Sequence, residues 1–360
     1  DARRPLELDL LVVDEASMVD LALMAKLMDA LPDTARLILV GDPDQLAPVE
    51  AGHVFGELCR AAPPNAFSAG FRERCAAMTG EVLPPEPAVA TRAAPAVPLT
   101  DRFIRLERNF RFGEGSGIGQ LSRAIRDGDA ARVGETLAAA APAAGVAGAD
   151  LEWRELPSAA HLRQALRAPV LEGWGDLGSI RDPAEALARF QQFRVLCAVR
   201  QGPFGVGELN RRIEEILSAA GRIPAHRVFY EGRPILVTRN DYAAGVFNGD
   251  VGLLRSGADG VVQAVFQAAD GSLRRLPLAR LPEHETAYAM TVHKSQGSEF
   301  DRVLLVLPDR EGPLLTRELF YTAVTRARRR VEVWMRGAMI ETILGRRVQR
   351  GSGLADALRQ

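Results

Sequence analysis

Two short apolar runs near the start of the chain end abruptly in acidic residues. The first is Leu10-Leu11-Val12-Val13-Asp14-Glu15 and the second is Leu37-Ile38-Leu39-Val40-Gly41-Asp42-Pro43-Asp44-Gln45. Apolar runs of this length between polar segments predict buried strands of a parallel sheet. Between them Met18, Leu21, Met24, Leu27, Met28 and Leu31 recur at helical spacing, and Pro32 ends the run. Residues 6–60 therefore read as strand, helix, strand, helix, with the methionine-rich stripe as core. Pro84, Pro85, Pro87, Pro95 and Pro98, set among alanines and valines, mark 79–100 as a linker or surface loop.

Order resumes after residue 100. Ile118, Leu121 and Ile125 share a helical face that closes at Gly128, and 130–150 is alanine-rich with little pattern. Residues 194–199 read as a buried strand. A turn at Gly202-Pro203 leads into a helix with Leu209, Ile213, Ile216 and Leu217 on one face. From 233 to 281 the pattern changes to short β-like runs split by Asn248-Gly249, Asp259-Gly260 and Asp270-Gly271, which predicts hairpins in a small β-barrel. Arg302 to Leu307 and Val331 to Trp334 then read as parallel-sheet strands again. The β segment is thus an insertion in an α/β domain, and the chain shows no internal repeat.

A length of 360 residues allows two or three domains, and 47% hydrophobic with 25% charged residues is ordinary for a globular protein. No apolar stretch approaches the roughly 18 residues of a membrane span, and the first residues carry no signal-peptide core. Cys59, Cys75 and Cys197 are too far apart for a metal motif or a disulfide framework, so a reducing, cytoplasmic location is expected. The net charge of −1 does not point to nucleic acid, but a binding groove needs only local positive charge.

Candidate chemistry sits at the ends of the runs. Carboxylates at the carboxyl end of a parallel strand lie where open α/β sheets place ligands. There Asp14 can hold a magnesium ion and Glu15 can orient an attacking water, the acidic half of a nucleotide-hydrolysing site. A lone Asp-Glu pair is usually a solvated strand end, and Gly41-Asp42-Pro43 alone reads equally well as a plain turn. Together they support each other, with Gln45 placed to sense a γ-phosphate. Arg111, beside Phe110 and Phe112, suits a phosphate contact, although an arginine out of context is more often surface. The block from Ala287 to Phe300 is too polar for a core element, and its hydroxyl, imidazole, lysine and glycine suit phosphate or backbone contacts. His293 by itself reads as structural. Arg326, Arg329 and Arg330 fall at i, i+3 and i+4, which predicts one positive helix face.

Taken in order, these blocks resemble the motifs of superfamily 1 DNA helicases, and within them the RecD family, the alpha subunits of exonuclease V (the RecBCD complex). Asp14-Glu15-Ala16-Ser17 is similar to motif II, Gly41 through Leu46 and on to Gly52 to motif III, and Asn109-Phe110-Arg111-Phe112 to motif IV. Thr291 through Phe300 is similar to motif V and Tyr321 through Arg328 to motif VI. Arg200 through Asn210, and Phe247-Asn248-Gly249-Asp250, also resemble family segments.

The resemblance implies an α/β fold of two RecA-like P-loop NTPase lobes, the first incomplete, with a small inserted SH3-like β-barrel. The first lobe would span 1–78, the linker 79–100, the second lobe 101–232 and 284–360, and the insert 233–283. It also implies a 5′-to-3′ ATP-dependent helicase using ATP and Mg2+, acting in double-strand-break repair on single-stranded DNA at duplex ends. Its partners would be RecB-like and RecC-like subunits, with the nuclease elsewhere in the complex and no membrane association. Asp14 would bind magnesium, Glu15 activate water and Gln45 couple nucleotide to DNA. Arg111 and Arg326 would contact the γ-phosphate from the second lobe. Gly297 and Glu299 would touch nucleotide, and Thr291, His293 and Lys294 would lie near the strand. Pro43, Pro48 and the Asn109-Phe110 pair depart from the usual motif residues. The sequence contains no GxxxxGK[ST] loop, so the 360-residue chain is expected to hydrolyse no ATP by itself. The competing readings are the helicase part of a conjugative relaxase and a non-catalytic DNA-binding assembly subunit.

Overall fold

The computed structural model describes residues 4–48, 52–61, 64–83, 99–106, 110–113, 115–142, 149–225, 227–257, 260–268, 270–348 and 354. Most of the expected linker, residues 49–51 and Asn109 lie outside them. The chain forms two compact units, Asp1–Arg111 with Arg347–Gln360, and Phe112–Arg346.

In the first unit, β1 (Leu10–Val13) and β2 (Arg36–Leu39) pair in parallel, with Val13 opposite Leu39. Parallel neighbours need a crossover, and α1 (Leu21–Ala30) supplies it. Asp20 caps that helix by accepting the Leu23 amide at 2.7 Å. The expected burial holds on one face only. Leu11, Val13, Leu37 and Leu39 are half-buried, whereas Leu10, Val12 and Ile38 are about half exposed. Of the methionine-rich stripe, Met24 is buried, but Met18, Leu21 and Met28 are exposed. Two strands about 4.8 Å apart make a layer narrower than a helix of about 10 Å, so only one row of α1 side chains is covered.

Two further helices, α2 (Val54–Ala61) and α3 (Ala69–Thr79), complete this unit's described elements. Residues 99–106 return to it rather than opening the second lobe at 101. Asn65 bonds the Arg105 amide at 2.9 Å and its carbonyl at 3.2 Å, and Asp101 takes the Ser68 amide and hydroxyl at 2.6 and 2.7 Å. The two units divide at Arg111/Phe112.

The second unit is built on a five-stranded parallel sheet. Its strands, β3 (Leu151–Arg154), β4 (Phe193–Cys197), β10 (Ala289–Thr291), β11 (Phe300–Val306) and β12 (Ala327–Trp334), lie in the order β10-β4-β11-β12-β3. Helices α6 (Leu162–Trp174), α7 (Pro183–Gln191) and α8 (Val206–Ala219) pack around one core with Val195, Cys197, Leu304, Val306 and Trp334. Helices α4 (Gly117–Asp127) and α9 (Arg317–Thr325) pack together and against β12, and α5 (Ala130–Ala139) packs on α4. With helices on both faces, all five residues of β4 are buried, which is why its sequence is continuously apolar apart from Arg194.

The insert is an antiparallel sheet of β5 (Pro234–Val237), β6 (Val251–Ser256), β7 (Val262–Gln267), β8 (Leu273–Pro277) and β9 (His284–Thr286), ordered β8-β7-β6-β5-β9. One face encloses a core of Ile235, Val237, Val246, Leu254, Ala264, Phe266 and Leu276. The other sets Leu253 and Val265 into the core of α6–α8. The structure establishes a five-stranded antiparallel insert, and among the described residues no ladder joins β8 to β9. No helix of the described residues is long and apolar enough to cross a membrane.

Candidate functional site

In the first unit, the acidic residues leave the carboxyl ends of two paired strands. Val40 donates its amide to Val13 O, and Ala16 donates to Val40 O, both at 2.8 Å. These bonds tie the two loops together beyond the strands. Glu15 stands between them in the left-handed region (φ 51°, ψ 37°), an uncommon conformation for a residue with a Cβ. It then leads into a 3-10 turn, Ala16–Met18. Gly41 is needed for close approach, because a Cβ there would lie 3.0 Å from Ser17 N and 3.1 Å from Phe55 Cε1. Asp14 is exposed, and its Oδ1 accepts the Glu15 amide at 2.9 Å. Asp42 shapes the second loop by accepting Asp44 N at 3.0 Å and Gln45 Nε2 at 3.3 Å. The loops carrying Asp14, Glu15 and Gln45 thus leave the carboxyl ends of two paired strands. Arg111 is the last residue of this unit, not part of the second lobe as expected.

In the second unit the block from Thr291 to Phe300 divides between two places. Its first half follows β10, where Thr291 Oγ1 accepts the Lys294 amide at 3.3 Å. A 3-10 turn, His293–Ser295, follows, and Lys294 Nζ donates to Asn248 Oδ1 of the insert at 2.7 Å. Its second half reaches the amino end of β11. Gly297 has φ +73°, which favours glycine. Buried Arg326 donates from Nη1 to Ser298 O at 3.2 Å and from Nε to Thr322 O at 3.3 Å. Arg328 pairs with Glu299 at 2.9 Å. The expected positive helix face is not formed. Helix α9 ends at Thr325 and the chain continues as β12, so Arg329 and Arg330 lie on a strand, where Arg330 binds Glu152 at 2.6 Å. Pairing with β11 captures the segment, which helical counting could not see.

Two buried residues position this block and had no assigned role in the sequence. Asn210 on α8 donates to Thr286 O at 2.9 Å and Ala289 O at 3.0 Å, and accepts the Ala289 amide at 2.8 Å. Arg194 on β4 donates to Ala287 O and lies over the Phe190 ring at 4.0 Å. Burial lowers its pKa to about 9, so it stays cationic at neutral pH. Together they clamp 286–289, the lead into β10. A polar residue inside an apolar helix face or strand was the available signal. Near them a cleft of about 940 Å³ opens at the carboxyl end of β4, lined by Arg200, Gln201, Val206, Asn210 and Thr286 among others. Burial pushes the Cys197 thiol up to about 12, which leaves it inert as a nucleophile.

The candidate residues thus sit on two parallel sheets, an acid pair at the strand ends of the first and a buried arginine after α9 beside the second. Residues 3–75 match the AAA domain family, and 286–333 match the UvrD-like helicase C-terminal domain. RecBCD enzyme subunit RecD of Mycolicibacterium smegmatis is 39% identical over 98% of this chain and 54% of that protein. The Haemophilus influenzae RecBCD enzyme subunit RecD is 35% identical over 99% and 56%. The ATP-dependent RecD2 DNA helicase of Deinococcus radiodurans is 30% identical over 91% and 36%. The chain is similar to these RecD subunits over nearly its whole length and spans about half of theirs.

Proposed function

We propose that this chain acts within an ATP-dependent DNA helicase, as the RecD-type subunit of a RecBCD-like complex in the cytoplasm. It would move 5′ to 3′ on single strands entered from duplex ends, beside RecB-like and RecC-like subunits, in double-strand-break repair. The observation that carries this reading is the tie between Ala16 and Val40, which joins the loop of Asp14 and Glu15 to the strand end that leads into the Gln45 loop. The relaxase and assembly-subunit alternatives find no comparable support.

The donor set fits Mg2+. Among the described residues no group of three or more His, Cys, Asp or Glu side chains could hold a metal. Magnesium with a nucleotide suits such a place, because it usually takes one or two carboxylates and completes its shell with phosphate oxygens and water. Asp14 would hold it, its Oδ1 already oriented by the Glu15 amide. When bound, the ion neutralises charge developing on the phosphate oxygens. Glu15 would accept the proton of the attacking water, and its left-handed backbone fixes where its carboxylate starts. Gln45, steadied by Asp42, would report nucleotide state. Arg326 and Arg111 would neutralise γ-phosphate charge, and Gly297 and Glu299 would border the nucleotide. Thr291, His293 and Lys294 would face the strand.

The test is hydrolysis of ATP by the full-length protein with and without single-stranded DNA, compared with Glu15→Gln. Loss of a general base costs roughly 10²–10⁴-fold. The variant should lose turnover on that scale and keep nucleotide binding. Near-normal turnover would remove Glu15 from the mechanism.

A further inference from the structure

The tip of the β insert presents two aromatic side chains that the fold itself does not use. Tyr242 is 80% exposed and Phe247 is 44% exposed, and their rings meet edge to face at 5.8 Å. Single exposed apolar residues are ordinary. These two differ because the loop carrying them is rigidly built. Asp241 and Val246 exchange backbone bonds of 2.8 and 3.1 Å, and Asp241 Oδ1 accepts Ala244 N at 2.9 Å. Asp250 Oδ2 accepts Phe247 N, and Asn240 Oδ1 accepts Asn248 N, both at 2.8 Å. The Arg274 guanidinium bonds Gly245 O, while Val246 is buried in the insert's own core. The loop's polar side chains are spent on holding its shape, and its rings are left in water.

The loop is also joined to the helicase block beside it. Asn248, next to Phe247, accepts the Lys294 ammonium at 2.7 Å. An ammonium has three donors, so Lys294 keeps two for another acceptor such as a phosphate. Aromatic faces beside a cation are the pattern by which single strands are bound, bases on rings and backbone on positive charge.

We propose that Tyr242 and Phe247 form a base-stacking platform for single-stranded DNA, held in register with Lys294 through Asn248. This rests on the helicase reading above. The experiment measures binding by the full-length protein of a labelled oligothymidylate and of the same strand made abasic. Stacking on one base corresponds to about five- to 150-fold in affinity. The wild-type protein should prefer the base-bearing strand by at least about fivefold. Tyr242→Ala with Phe247→Ala should lose that preference and keep its affinity for the abasic strand, while Tyr242→Phe should retain the preference. Tyr242→Leu with Phe247→Leu removes the rings but keeps apolar area, and gives the same readout should the alanine pair unfold. An unchanged preference in the ring-free variants, or equal losses on both strands, would overturn the platform alone. A wild-type protein that binds neither strand would overturn the helicase reading itself.

Discussion

Asn210→Ala tests whether one buried side chain holds the lead into the Thr291 block. Asn210 is nearly buried and makes three bonds to main chain between Thr286 and Ala289. Truncation strips the Ala289 amide of the partner it has in the structure. It also takes a donor from two carbonyls, each of which keeps a second lone pair for other bonds. An orphaned buried group costs about 1–3 kcal/mol, so roughly 2 for the amide and about 0.5 for each carbonyl gives about 3 kcal/mol. All three tryptophans, Trp153, Trp174 and Trp334, lie in the second unit, so their fluorescence reports its unfolding alone. With a urea slope of roughly 2.5 kcal/mol per molar, the midpoint should fall by about 1.2 M. A fall of less than about 0.2 M at an unchanged slope would mean that water replaces the side chain, and the clamp argument would fail.

Other outcomes follow from single contacts. A Cβ at Gly173 would sit 2.0 Å from Phe193 Cδ1, so Gly173→Ala should destabilise the second unit by about 1–3 kcal/mol; an unaltered urea midpoint would refute the close approach. Arg326→Lys keeps charge but loses the planar fork, and turnover should fall by roughly 10³-fold with nucleotide binding little changed; equal losses in both would argue against a transition-state contact. Bonds from the Ser68 hydroxyl and amide hold the Asp101 carboxyl below its ordinary value of 3.8. Its stabilisation is therefore complete above that value and lost as pH falls through the lowered folded value. Ser68→Ala should move the Asp101 titration, followed by NMR, upward, and a folded value at or above 3.8 in the unaltered protein would exclude the anchor.

Much of the α/β plan was legible because it is local. Apolar runs ending in Asp14-Glu15 and Asp42-Gln45 announce strand ends, since a strand's side chains are sorted by sequence neighbours alone. The insert was legible in part: Asp270-Gly271 turns β7 into β8 by its own backbone preference, whereas Asn248-Gly249 lies in the longer connection from β5 to β6 and Asp259 lies outside the described residues. Arg329 and Arg330 were misplaced because three arginines at i, i+3 and i+4 fit a helix and a strand alike; only pairing with β11 decides. The cover on α1 and the reach of 99–106 back to Asn65 depend on contacts made across distant parts of the chain. So do the clamp of Asn210 across 79 residues to Ala289 and the bond from Lys294 to Asn248. Spacing in sequence carries no information about such meetings, because which buried polar group finds which partner is fixed only when the core closes around both.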